Sequence, residues 1–205
     1  MVLLGKTGSG KSSTGNTIFG KEAFEVASVL QGGNMECGEF CSTVNGRTVW
    51  VSDTPGFFNP GMSNDKVKGQ IEEAIHLVHP GPHVFLLVIR LDERFTEEEQ
   101  KTVRWILENF GEEIQKHTIV LFTHGNVLKE TNIEEYLHLT PDLKKVVDSM
   151  ADYHVFENEA KYETQVSELL EKIDKLMKNN GNQVYTEWTW NFKAQKSFGA
   201  FLDRT

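Results

Sequence analysis

Apolar runs alternate with amphipathic stretches along the chain, the pattern of a mostly parallel sheet covered by helices. Val2-Leu3-Leu4 reads as the end of a first strand. It is short beside the usual five or six residues, which suggests that the natural chain, or its ancestor, ran further toward the N-terminus. The first helix is expected to start inside a Gly-rich loop and run to about Phe19, and residues 21–37 carry neither period and read as a mobile loop. Glu39 to Val44 and Arg47 to Ser52 flank Asn45-Gly46, a strong two-residue hairpin signal. Ser63 to His79 reads as a helix that stops before Pro80.

From His83 to Leu91 the chain is apolar on both faces, as a central parallel strand requires. Thr96 caps the next helix, with Glu99 completing a capping box, and that helix ends near Phe110. Buried strands are expected at Thr118 to Thr123 and Tyr153 to Phe156, with a helix from Ile133 to Met150 broken near Pro141. Val166, Leu169, Leu170, Ile173 and Leu176 form one face of a closing helix. After Asn179-Asn180-Gly181 the composition shifts to a tail with Trp188, Trp190, Phe192, Phe198 and Phe201 and no clear period. This divides the chain into a domain at 1–180 and an aromatic tail at 181–205 that either packs on it or serves as an interaction arm.

Size and charge narrow the picture. The 205 residues suffice for one α/β domain with a continuous core. The net charge of −9 argues against nucleic acid or an anionic membrane as the main partner. It leaves room for a nucleotide, because a nest of backbone N–H groups holds phosphate within an acidic protein. Cys37 and Cys41 have no second pair to complete a zinc site and read as reduced thiols. The longest apolar run, Val84 to Ile89, is far too short for a bilayer, and no signal peptide precedes Gly5, so a cytoplasmic protein without a transmembrane segment is expected.

The strongest chemical signal is Gly5-Lys6-Thr7-Gly8-Ser9-Gly10-Lys11-Ser12, a full phosphate-loop pattern between a strand and a helix. The glycines let successive N–H groups turn toward a phosphate, and the helix N-terminus adds partial positive charge. Lys11 is expected to bridge the β- and γ-phosphates, and the Ser12 hydroxyl, next to Ser13, to ligate Mg2+. Asp53-Thr54-Pro55-Gly56 follows a hairpin strand. There Asp53 would hold Mg2+ through water, and the Gly56 N–H would approach the γ-phosphate. The expected fold is a three-layer P-loop NTPase of the G-domain type, a mostly parallel sheet between helices with one antiparallel hairpin strand.

The opening from Leu3 to Gly20 resembles that of the GIMAP family, the GTPases of immunity-associated proteins, also called IAN proteins. So do Pro80-Gly-Pro-His-Val-Phe-Leu-Leu-Val-Ile89, Phe95-Thr-Glu-Glu-Glu-Gln100 and Thr118-Ile-Val-Leu-Phe-Thr-His124. The resemblance covers roughly residues 1–180 and implies a domain that binds GTP or GDP with Mg2+. It also implies slow or partner-stimulated hydrolysis and homo- or hetero-dimerisation with relatives across the nucleotide-facing surface. Arg94 stands where the family carries an Arg before an aromatic and Thr. It is a candidate finger for a dimer partner's phosphates, or a solvated Arg pairing with Glu97 or Glu98. His124 and Asn158 fall in the base-contacting segments.

Departures from the family bear on specificity. Asn34 stands where the first switch loop usually has Thr, and Phe57 and Phe58 stand where small GTPases carry a water-orienting Gln. Val127 replaces the Asp whose carboxylate accepts two hydrogen bonds from guanine, with Asn126 and Glu157 as possible substitutes. His83 reads as a structural or interface histidine, and His76 and His79 as surface or packing residues without a third metal ligand. Two main functions stay open: a switch-like GTPase, or a hydrolysis-poor scaffold with reduced guanine specificity that acts through hetero-assembly. An ATP-using relative is a third, with no adenine pocket to support it.

Overall fold

The computed structural model describes residues 1–26, 38–58, 62–78, 80–129, 131–159 and 163–186. Strand β1 (Val2–Leu4) leads through the glycine loop into α1 (Lys11–Phe19). The hairpin β2 (Gly38–Val44) and β3 (Arg47–Asp53) is followed by α2 (Asn64–Leu77) and β4 (Phe85–Arg90). Then come α3 (Glu97–Phe110), β5 (Thr118–Thr123), α4 (Ile133–Leu139), α5 (Pro141–Ser149), β6 (Asp152–Val155) and α6 (Glu163–Asn179). Short 3-10 turns at Glu112–His117 and Gly125–Leu128 flank β5.

The six strands form one sheet in the order β2-β3-β1-β4-β5-β6. All pairs are parallel except β2 with β3. That single reversal comes from Asn45 and Gly46, whose φ of 50° and 76° make the tight turn whose twist matches the flanking strands.

The double-sided apolar pattern of β4 has a direct cause. Phe85, Leu87 and Ile89 join Val2 and Leu4 in one core with Val67 and Ile71 of α2 and Val103 and Ile106 of α3. Leu86 and Val88 join Leu3, Ile119 and Leu121 in a second core with Ile18 of α1 and Leu169 and Ile173 of α6. Each face of the sheet thus needs its own helices, and the three layers follow.

Helix boundaries follow their caps. Ser63 accepts from the Lys66 N–H at the start of α2, and Thr96 and Glu99 form both halves of the capping box on α3. Pro141 occupies the first position of α5 and separates it from α4. The strand expected from His83 to Leu91 is narrower, and Leu91 still donates its N–H to Thr123 O after the last ladder pair.

After α6 the chain crosses from one face of the sheet to the other. Tyr185 is fully buried in the core opposite α6, its N–H bonded to Pro82 O and its hydroxyl donating to Phe110 O. Its ring stands edge-on to Phe85 at 5.1 Å. Asn34, Cys37, His79 and the tail aromatics from Trp188 to Phe201 lie outside the described residues.

Candidate functional site: a phosphate loop at the carboxyl edge of the sheet

The segments singled out by sequence leave the sheet at the carboxyl ends of β1, β3, β4, β5 and β6, the edge where open α/β sheets bind ligands. The glycine loop wraps the start of α1, with Gly10 as N-cap in the left-handed region at φ 94°. No side chain caps α1, so its first N–H groups face the loop as a ready anion site.

Lys11 is buried and donates from Nζ to Lys6 O at 3.0 Å and Gly5 O at 3.3 Å. Burial draws its ammonium down to about 8, against the opposing pull of Asp53. The Ser12 hydroxyl lies 2.5 Å from Asp53 Oδ2. A hydroxyl from the first turn of α1 and a carboxylate from the end of β3, beside a buried lysine, form a hard oxygen set suited to Mg2+ shared with phosphate oxygens. Among the described residues no group of three or more His, Cys, Asp or Glu is arranged to hold a metal, so a bound nucleotide would have to supply further ligands.

The turn after β3 is fastened to this loop. Phe57 donates its N–H to Gly5 O and accepts from the Thr7 N–H and hydroxyl at 3.0 and 3.2 Å. A Cβ on Gly56 would fall 2.4 Å from Thr7 N and Cα, so only glycine fits. Thr54 is buried and donates to Leu3 O. Phe57 is itself buried, packed edge-on to Trp105 at 5.0 Å, and Phe58 is partly exposed with φ 58°. The place of the water-orienting Gln is therefore half absorbed into the core.

The neighbouring edge brings in residues that sequence reading missed. Arg90 closes β4 and holds Asp92 with two bonds, Nε to Oδ1 at 2.9 Å and Nη2 to Oδ2 at 2.6 Å. Its Nη1 donates to Gly8 O at 3.2 Å. A charge ending an all-apolar strand at the carboxyl edge was the available signal. Lys6 pairs with Glu98 at 2.8 Å, and Glu97 stands near Lys101 at 3.8 Å. Arg94 is exposed, and neither acid is its partner among the described residues.

On the base side, His124 adopts φ 59°, ψ 45° and opens the turn 125–128, on which Val127 is 39% exposed. Glu157 accepts from the Asn126 N–H at 2.9 Å and from the Glu159 N–H at 3.1 Å, joining the two base-side loops. Asn158 rests on α1, accepting from the Thr17 hydroxyl at 2.8 Å, with its Nδ2 3.5 Å from Thr14 Oγ1. The His83 carbonyl accepts from His117 Nδ1 at 3.1 Å, and burial first of all lowers the His83 imidazole.

The AIG1 family model matches residues 1–199. The chain belongs to the AIG1 family. It is 31% identical over 212 residues to immune-associated nucleotide-binding protein 7 of Arabidopsis thaliana, covering 96% of this chain and 67% of that one. It is 33% identical over 202 residues to the human GTPase IMAP family member 8, covering 96% of this chain and 30% of that protein. The AIG1-family chain thus spans about two thirds of one relative and under a third of the other. Toc33 from Arabidopsis thaliana, in complex with Mg2+ and GMPPNP, superposes with a TM-score of 0.66 at 25% identity, over 87% of this chain and 83% of that one. Another structure, of chloroplast translocon components whose dimerisation is important for GTPase activity, gives a TM-score of 0.65 at 23% identity over 85% and 81%. The architecture is that of P-loop GTPase G domains. No helix among the described residues is long and apolar enough to cross a membrane.

Proposed function

We propose that this AIG1-family chain is a cytoplasmic guanine-nucleotide-binding G domain that holds GTP or GDP with Mg2+ through Gly5 to Ser13. The contact between Ser12 and Asp53, made beside the buried Lys11, carries the reading. Asp53 acts through water on the metal, and Gly56 keeps the turn close enough for its N–H to meet a γ-phosphate. Gain and loss of that phosphate then switch the turn, with slow hydrolysis in the single chain.

Base reading falls to His124, Glu157 and Asn158. Glu157 offers a carboxylate where the usual Asp position holds Val127, and charge-assisted bonds to a base edge contribute roughly 1.5–3 kcal/mol each. Dimerisation with a second copy or a relative places Arg94 toward the partner's phosphates. Its exposure, with Glu97 and Glu98 facing lysines instead, favours that role over the solvated pair.

The second reading, a hydrolysis-poor scaffold with weakened base choice, draws on the exposed apolar Val127 at the base loop. One titration separates them: GDP, a non-hydrolysable GTP analogue and its ATP counterpart, each with Mg2+, against the native chain and Val127→Asp. Strong preference for the guanine analogues in the native chain supports the switch. Base-blind binding that Val127→Asp converts to guanine preference supports the scaffold. Hydrolysis that rises with protein concentration and disappears in Arg94→Ala supports the dimer; a concentration-independent rate counts against it.

A further inference from the structure

Two chains of contacts join the phosphate loop to the base-side loop, and they meet at His124. One runs from Gly8 O to Arg90 Nη1, through the two bonds of Arg90 to Asp92, and on to His124 Nδ1, 3.5 Å from Asp92 Oδ1. The other runs from Ser9 O to the Thr123 hydroxyl at 2.9 Å and from there to His124 Nδ1 at 3.2 Å. We propose that Arg90 is a positioning residue for phosphate binding, and that Asp92, shared between Arg90 and His124, transmits the state of the base-side loop to the phosphate loop. This rests on the nucleotide reading above and extends it to residues that touch neither base nor phosphate.

A trans peptide carries its C=O and N–H on opposite sides, so holding the Ser9 carbonyl against Thr123 turns the Gly10 N–H the other way. Arg90 holds the carbonyl of the preceding peptide, whose N–H donates to Lys6 O at 3.1 Å, and so fixes the turn from which the Gly10 N–H projects. Gly8 is exposed at the apex with φ 80° and open space where a Cβ would point, so packing does not supply that restraint. The guanidinium fork suits the task, because its planar donors fix Asp92 in two places while a third N–H reaches Gly8. Asp92 cannot move toward His124 without pulling on the fork.

Inorganic pyrophosphate is the discriminating probe, because it has phosphates and no base. Its affinity with Mg2+ is measured beside that of GDP for the native chain, Arg90→Met, His124→Ala and the double variant. Arg90→Met is expected to weaken both ligands by a similar factor of about tenfold, the loss typical of a charge-assisted bond. His124→Ala is expected to weaken pyrophosphate as well, and to lose the part of that effect carried through Asp92 when Arg90 is already Met. A His124 that only meets the base would leave pyrophosphate untouched. Unchanged pyrophosphate binding in folded Arg90→Met or His124→Ala, or strictly additive losses, overturns the inference. Asp92→Asn, a near-isosteric change at a half-exposed position, carries the same expectation if either variant fails to fold. A native chain that binds neither ligand sinks the nucleotide reading and this inference with it.

Discussion

The Ser12 hydroxyl meets Asp53 Oδ2 at 2.5 Å, although 41 positions separate them in the chain. The contact exists because β1 and β3 are adjacent and parallel, with Leu3 opposite Asp53 in the ladder. Replacing Asp53 by Asn keeps the shape and removes the negative charge that a hydrated Mg2+ requires. The expected result is a loss of about 10–100-fold in GDP affinity with Mg2+ present. The affinity measured in EDTA is expected to be nearly the same for both proteins, because the lost term is the metal's. Equal losses with and without metal would instead assign Asp53 a purely structural part.

Gly56 and Thr7 provide a steric prediction. The clash of a Cβ at Gly56 is with backbone, which cannot swing aside as a side chain can. Gly56→Ala should push the turn off the phosphate loop, cost about 1–3 kcal/mol in urea unfolding and reduce nucleotide binding sharply. Gly69→Ala on α2 is the control. Nothing lies within 4 Å of its Cβ, and helix propensity predicts a gain of about 0.5–1 kcal/mol with binding unchanged.

What could be read in advance follows how local each signal is. The phosphate loop, the Asn45-Gly46 hairpin and the Thr96 capping box are encoded within a few residues each, and all three stand where the pattern put them. The Arg90, Asp92 and His124 assembly joins three separated segments, and Arg90-Leu91-Asp92 read alone is an ordinary exposed ion pair. Phe57 shows a related limit. Its position shows only that the water-orienting Gln of small GTPases is missing, whereas its burial against Trp105 depends on a helix some fifty residues later.

Tyr185 shows the same limit beyond α6, where no period announces a core residue. Its burial on the far face of the sheet makes the crossing segment part of the domain's stability. Tyr185→Ala is expected to cost about 3–5 kcal/mol through the cavity it leaves. Tyr185→Phe, which removes only the bond to Phe110 O, is expected to cost about 1–3 kcal/mol. Urea unfolding checks both. A Tyr185→Ala chain as stable as the native one would show that the segment merely rests on the surface.

Lys11 makes the site sensitive to alkaline pH. Its ordinary value of 10.5 is lowered to about 8 by burial, with Asp53 opposing. Between those values the unfolded chain keeps a proton that the folded, phosphate-free chain has released. Stability therefore rises with pH across that window, and below it the cost of burying the charged ammonium is present in full. Phosphate binding acts in the opposite direction, because an anion beside Nζ raises the lysine again. Above about pH 8 the protein must take up a proton to bind, so affinity should fall with pH by at most about tenfold per unit. Calorimetry of Mg·GDP from about pH 7 to about pH 10, in buffers of different ionisation enthalpy, reads both the affinity and the proton uptake. Lys11→Met should bind weakly and lose the lysine-linked part of both effects. A native profile that stays flat across this range, with no proton uptake, would mean that the buried ammonium keeps its charge without help from the nucleotide.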